Sequence, residues 1–317
     1  METSHDDDGR WISRRGALAT IGGLAGVGTV AGYLDAGGES VRVLSAGSLA
    51  TTFEDHVAPA FEAQTGIGVH GEYYGANAVM RMVEDGTKHP DVVVSADATL
   101  LRDRLYDGVT DWDVEFASNA VGIAYAPDVP LGRRLADGEP WYAVARDADP
   151  GEIAIGDPDL DPLGYRAVQA FELAEHEHDL DGFRDAMLDR VYREPDEPQL
   201  LAGVEAGSRA AAVVYRNMAV DHDVPFRTFP AAYSFADPGL ADQYATVTYT
   251  TDEEGYTARG RPVLYNATVI DRADAPEAGH RLVRFLADSP DLLRDAGLTV
   301  SNELPRANGS VPPPVER

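Results

Sequence analysis

The chain has 317 residues, of which 54 are acidic and 26 basic, giving a formal net charge of −28 at pH 7. Lys88 is the single lysine, so the chain lacks the basic footprint that binding to nucleic acid requires. It has no cysteine, which excludes disulfides, thiolate metal sites, a cysteine nucleophile and a lipid-modified cysteine. The length suits two domains, and the acidic surface favours a protein that works at high salt, where repulsion between carboxylates is screened.

The N-terminal segment carries an export pattern. Paired arginines in Ser13–Gly16 precede a weakly apolar run of small residues from Ala17 to Tyr33. This pattern predicts a twin-arginine signal and linker over residues 1–39, and it places the folded body outside the cytoplasm. Since no clean cleavage site follows the run, an uncleaved membrane anchor remains an alternative.

Three strand-to-helix junctions follow, and each carries glycine or small polar residues. A strand predicted over Ser40–Leu44 leads to Ser48, which we expect to be the N-cap of the next helix. The strand Val69–Tyr74 leads to the tight turn Gly75–Asn77, and the strand Asp91–Ser95 leads to a third helix. Helix N-termini present unpaired N–H groups and a positive dipole end, so a set of such junctions predicts an oxyanion site.

A fourth junction, Asp157–Arg166, is the most informative stretch of the chain. It follows a short strand at Glu152–Ile155 and opens a helix with Asp161 as N-cap and Pro162 in the first turn. We expect the N–H groups of Leu163, Gly164 and Tyr165 to point outward toward an anion. The competing interpretation is that Asp161 only caps its helix.

These patterns predict an α/β protein with two lobes. Residues 40–117 and 265–304 form the first lobe, 118–264 form the second, and the Pro-rich tail 305–317 is expected to be frayed. The chain crosses between lobes within Phe116–Tyr125 and Val263–Ile270. A hinged clam of this kind binds its ligand in the cleft between the lobes.

The chain resembles the molybdate/tungstate-binding proteins of archaeal ABC importers, the ModA/WtpA type, over roughly residues 45–304. The resemblance is carried by Ser45–Leu49, Val92–Asp97, Phe116–Asn119, Gly156–Arg166 and Tyr215–Ala219. The resemblance is to haloarchaeal-type members, and it implies a type II periplasmic-binding-protein-like fold. The function that it implies is the capture of molybdate or tungstate outside the cytoplasm for an ABC importer.

The same resemblance implies the partners and the site. The partners are the oxyanion, a membrane permease and an ATPase, with a monomeric binding protein, no cofactor and no enzymatic activity. The resemblance implicates Ser48, Ala76 through its backbone amide, Asp161 to Gly164, and Tyr215 in ligand binding. The junctions themselves add Asn77, Ser95 and Tyr165 as candidates.

One departure from the family pattern bears on coordination. Members that hold the metal in six-fold coordination use the Asp at the position of Asp161 and a Glu where this chain has Val214. We therefore expect a bound molybdate or tungstate to stay tetrahedral, with Asp161 turned toward its own helix.

Two other functions fit parts of the sequence. The same fold could bind sulfate, phosphate or an organic anion. A secreted hydrolase could use Asp157, Asp159 and Asp161 as acid/base or metal-binding groups, although the prolines and the missing glycine and glutamate positions do not match a calcium loop.

Overall fold

The computed structural model describes residues 39–106, 108–252 and 254–315. The export signal predicted over residues 1–39 therefore lies outside the described residues, apart from Glu39. The strands are β1 Ser40–Ala46, β2 Gly68–Tyr74, β3 Val92–Ser95, β4 Trp112–Ser118, β5 Val121–Tyr125, β6 Ile153–Gly156, β7 Tyr192–Glu194, β8 Ala211–Tyr215, β9 Phe226–Thr228, β10 Thr248–Thr250, β11 Thr257–Arg259, β12 Leu264–Val269 and β13 Arg306–Gly309.

The α-helices are α1 Ala58–Thr65, α2 Ala76–Glu84, α3 Ala98–Leu105, α4 Pro130–Ala136, α5 Trp141–Arg146, α6 Pro162–His178, α7 Phe183–Leu188, α8 Ala202–Glu205, α9 Arg216–Asp221, α10 Ala241–Tyr244, α11 Pro276–Asp288 and α12 Pro290–Asp295. Short 3-10 helices span Gly47–Leu49, Glu197–Gln199 and Pro238–Leu240, and a π-helical stretch, Thr52–Val57, runs into α1.

The first sheet has six strands in the order β13-β4-β12-β3-β1-β2. Strands β1, β2 and β3 are parallel, and β12 pairs antiparallel with both β3 and β4. The continuous apolar run of β3 is fully buried, as expected for a strand covered on both faces. Helices α2, α3 and α11 pack on this sheet, and we call the assembly lobe 1.

The second sheet has five strands in the order β7-β6-β8-β5-β9. Its longest helix, α6, packs on β5, β6 and β8, and its first three turns are almost entirely buried. We call this assembly lobe 2. The prediction that Asp161 is the N-cap of α6, with Pro162 in the first turn, is confirmed.

The chain passes from β4 in lobe 1 to β5 in lobe 2 through the two residues Asn119 and Ala120, and it re-enters the first sheet at β12. The tail is not frayed as expected, because Arg306–Gly309 pairs antiparallel with β4 and Arg306 bonds to Glu115 at 2.7 Å. The free backbone groups along the edge of β4 make this pairing available to any nearby extended segment.

Two of the predicted helix starts differ from the structure. Ser48 lies inside the short helix Gly47–Leu49, whose N-cap is Ala46, so Ser48 is not an N-cap. Helix α2 begins directly at Ala76, with Gly75 as N-cap, so Ala76 and Asn77 belong to its first turn and not to a preceding turn.

The hairpin β10–β11 forms a separate two-stranded sheet, and β10 contacts α6 of lobe 2. Glu254 in its turn forms ion pairs with Arg81 of α2, at 3.0 Å, and with Arg104 of α3. The hairpin thus connects the two lobes. Among the described residues, we find no helix of the length and apolarity needed to cross a bilayer.

Candidate functional site

The two lobes meet where the helix starts of lobe 1 face two acidic turns of lobe 2. A Cβ on Gly75 would lie 2.4 Å from the carbonyl oxygen of Leu160, and one on Gly47 would lie 2.7 Å from Cδ of Pro198. Heavy atoms do not approach so closely without contact strain, so both positions require glycine in this arrangement. These contacts place the starts of two lobe 1 helices beside Asp161 and Glu197.

Asp161 is buried in this contact, with 1% of its surface exposed. Its Oδ1 accepts a hydrogen bond from the Gly164 N–H at 2.7 Å, and its carbonyl oxygen accepts one from the Tyr165 N–H at 3.4 Å. The N–H groups of Gly164 and Tyr165 are therefore not free for an anion, contrary to the expectation from the sequence. The Asp161 carboxylate oxygen thus accepts from the N–H group that we expected to bind the ligand.

The carboxyl group of Asp161 holds its proton unusually well. Burial raises its pKa to about 7, and the negative charge of Asp157 adds to the rise. The N–H groups of Gly164 and Leu163 and the Arg166 guanidinium act in the opposite direction but do not restore the ordinary value. Gly156 makes room for this group, because a Cβ there would lie 2.5 Å from Oδ2 of Asp161.

Glu197 is the functional candidate that the sequence analysis missed. It is 1% exposed, and neither of its carboxylate oxygens completes a hydrogen bond of normal geometry. Burial raises its pKa well above the ordinary value, and the neighbouring Asp161 raises it further, although the N–H and hydroxyl of Ser48 and the N–H of Gly47 face it and lower it.

Backbone N–H groups at the start of α2 are hydrogen-bonded to lobe 2. The N–H groups of Asn77 and Ala78 both donate to the Leu160 carbonyl oxygen, at 3.0 and 3.3 Å, and the Asn77 side-chain amide lies 3.4 Å from the Asp159 carbonyl oxygen. The Asn77 N–H is thus already used between the lobes. Oδ1 of Asn77 is buried without a partner.

Ser95 and Tyr165 belong to a neighbouring buried network. The Ser95 hydroxyl donates to the Asp97 carbonyl oxygen and accepts from the Asp97 N–H, so it stabilises the turn between these two residues. Tyr165 donates to Asp97 Oδ2 at 2.8 Å, and Arg166 reaches the same oxygen at 3.0 Å. Tyr215 accepts from Arg166 Nη1 at 2.8 Å.

This network joins Asp97 of lobe 1 to α6 and β8 of lobe 2. Burial alone would raise the pKa of Asp97, but Arg166, with a contribution from Arg261, brings it below the ordinary value. Asp97 therefore stays ionised and neutralises Arg166. The Arg166 charge is accordingly shared with Asp97 and is not available in full to an anion.

A second network surrounds Ser48. Asn217 of lobe 2 donates to the Ser48 carbonyl oxygen at 2.6 Å and accepts from Asn119 of the crossing at 2.7 Å. Asn119 also donates to the Tyr265 hydroxyl at 3.1 Å, and that hydroxyl lies 3.4 Å from Oγ of Ser48. The crossing segment and the Ser48 backbone are thus fixed by the same amide pair.

The three aspartates of the Asp157–Arg166 junction do not form one catalytic or metal-binding group. Asp157 Oδ1 accepts from the Asp159 N–H, Asp159 accepts from Tyr249 and Asp252, and Asp161 caps α6. Within the described residues, no cluster of three or more histidines or acidic residues is arranged to hold a metal ion.

Comparison with known proteins places the chain in a family. Residues 41–298 match the model of the bacterial extracellular solute-binding proteins. The chain belongs to this family. It is 52% identical to a solute-binding protein of Halobacterium salinarum over 96% of this chain and 98% of that protein.

Two further similarities bear on ligand and fold. A Haloferax volcanii protein, provisionally named an ABC transporter molybdenum-binding protein, is 38% identical over 95% of this chain and 96% of its own. The structure of the periplasmic molybdate-binding protein of Azotobacter vinelandii matches with a TM-score of 0.60, covering 83% of this chain and all of that one, at 17% identity. The predicted two-lobed binding-protein fold is confirmed.

Proposed function

We propose that this protein captures molybdate or tungstate outside the cytoplasm and delivers it to the permease and ATPase of an ABC importer. The observation that carries the proposal is the meeting of the lobe 1 helix starts at Ser48 and Ala76 with the buried start of α6 at Asp161. Because Asp161 takes the Gly164 and Tyr165 N–H groups, the N–H donors to the anion would come from lobe 1. Helix N-termini stabilise an oxyanion through N–H groups and dipoles without a full opposing charge, which favours release to a transporter. The name of the Haloferax volcanii relative supports molybdenum as the cargo.

The proposal also includes export by the twin-arginine pathway and a function at high salt. The paired arginines of Ser13–Gly16 support export, and the net charge of −28 supports the high-salt setting. The acidity does not forbid an anionic ligand, because molar salt reduces the Debye length to about 3 Å.

Sulfate and phosphate are the alternative ligands, since the fold alone does not select among oxyanions. Isothermal titration of the protein with molybdate, tungstate, sulfate and phosphate tests the proposal. We expect molybdate and tungstate to bind at least about 100-fold more tightly than the other two, a difference of roughly 2.7 kcal/mol. Tighter binding of sulfate or phosphate would show that the cargo is assigned incorrectly.

A further inference from the structure

Glu197 and Asp161 are two carboxyl groups that reach the same interlobe contact from different turns of lobe 2. Both are 1% exposed, and neither oxygen of Glu197 has a hydrogen-bond partner of normal geometry. Oε2 of Glu197 would lie 2.9 Å from a Cβ on Gly47, which places the group against the short helix that carries Ser48. A buried carboxyl group that lies against a helix start without a hydrogen bond of normal geometry indicates a position that a ligand completes.

The charges around this pair do not neutralise it. Asp157 adds negative charge from the same turn as Asp161, and Arg166 is the cation acting on Asp161. Arg166 is itself paired with Asp97 at 3.0 Å. Tyr215 lies near both carboxyl groups and Tyr265 near Glu197, and burial keeps both phenols neutral by raising their pKa.

A dianion placed beside two ionised and poorly neutralised carboxylates would be strongly repelled. Two neighbouring buried carboxyl groups avoid this cost by retaining a proton, as any close pair of like charges does. The retained proton also converts an acceptor into a donor, because a protonated carboxyl group carries an O–H.

We propose that Glu197 is an oxyanion-binding residue that shares a proton with Asp161 and donates it in a hydrogen bond to an oxygen of bound molybdate or tungstate. This inference rests on the proposed function. Ser48 and the Gly47 and Ser48 N–H groups bind the same ligand from lobe 1, so the proton-bearing pair forms the lobe 2 side of the site.

The pH dependence of binding follows from the last proton of the pair. Burial raises the pKa of Asp161 to about 7 and raises that of Glu197 well above its ordinary value, so one proton remains on the pair after Asp161 ionises. A donor is present while that proton remains, so affinity is lost on the alkaline side, where the pair becomes fully ionised. It falls by about tenfold per pH unit once the pair ionises.

Isothermal titration with molybdate from about pH 6 to about pH 10, where the ligand is a dianion, tests the inference. For the unmodified protein we expect the dissociation constant to rise toward the alkaline end of this range, by up to about tenfold per pH unit once the last proton of the pair leaves. Glu197→Gln keeps a donor that cannot ionise, so it should flatten this profile and bind more tightly than the unmodified protein at about pH 10. The exposed Glu62→Gln variant is the matched control and should keep the original profile.

Asp161→Asn serves as a second variant if Glu197→Gln does not fold, because asparagine also caps helices. It removes the charge that raises the pKa of Glu197, so it should shift the fall in affinity to lower pH. A flat profile in the unmodified protein, or an unchanged profile in a folded Glu197→Gln protein, would overturn the inference while leaving molybdate binding intact. Failure of the unmodified protein to bind molybdate at any pH would instead overturn the proposed function, and this inference with it.

Discussion

Ser48 is the lobe 1 side chain that we expect to contribute most to oxyanion affinity. The residue is 3% exposed, and its hydroxyl faces Glu197 and lies 3.4 Å from the Tyr265 hydroxyl. Ser48→Ala removes a hydrogen bond to a charged group, so molybdate affinity should fall by roughly 1.5 to 3 kcal/mol. Titration calorimetry measures the loss, with the exposed Ser310→Ala as control. An unchanged dissociation constant would remove Ser48 from the site.

Val214 bears on the coordination number of the bound metal. It is fully buried in β8, where it pairs with Gly122, so it offers no oxygen. Because Asp161 caps α6 and Glu197 is assigned as a proton donor, we expect tungstate to keep four oxygens around the metal. X-ray absorption on the tungstate complex measures this shell. Six oxygens would show that Glu197 or Asp161 binds the metal directly.

Asp161 and Glu197 show what local sequence can and cannot predict about a buried carboxyl group. Asp161 was predictable as an N-cap because the Asp-Pro pair acts on its own helix. The burial of Glu197 was not predictable, because Glu197 stands in a polar stretch of the chain and is covered by Gly47 from the other lobe. The N–H groups of Gly164 and Asn77 are used by Asp161 and Leu160, which only the folded arrangement reveals.

At the scale of elements, the hairpin β10–β11 acts as an ionic link between the lobes. Glu254 bonds to Arg81 and Arg104 of lobe 1, while Asp159 of lobe 2 accepts from Tyr249 and Asp252 of the same hairpin. The Glu254 side chain is partly buried, so its ion pairs are screened less than exposed ones.

Replacing Glu254 with glutamine should weaken the closed form and speed ligand release by roughly threefold to tenfold, since each partly exposed ion pair contributes up to about 1 kcal/mol. Stopped-flow displacement of molybdate by excess tungstate measures the release rate. The exposed Glu303→Gln variant is the control. Equal release rates in both variants and the unmodified protein would show that the hairpin does not hold the lobes together.

Most regular elements were predictable because their patterns are local. The strands predicted at Ser40–Leu44, Val69–Tyr74, Asp91–Ser95 and Glu152–Ile155 are present as β1, β2, β3 and β6, with ends that differ by one or two residues. Strand β13 was missed because a short Pro-flanked segment has no strand pattern of its own and forms only by pairing with β4.

At the scale of the whole molecule, ligand binding should close the two lobes about their crossings. Bonds between the lobes include Asp97 with Arg166, Asn217 with Ser48, and Asn77 with Leu160. An oxyanion that contacts both lobes favours this arrangement over an open one. Small-angle scattering at high salt should give a smaller radius of gyration with saturating molybdate than without it. Identical curves would argue against hinge closure.

We expect one oxyanion to bind between the helix starts of the two lobes. Anomalous diffraction from tungsten in crystals grown with tungstate tests it most directly. We expect one strong peak between Ser48, the Ala76 N–H and the Asp161–Glu197 pair, with Glu197 within hydrogen-bond distance of an oxo oxygen. A peak outside the interlobe contact, or no peak under conditions where calorimetry shows binding, would contradict the account.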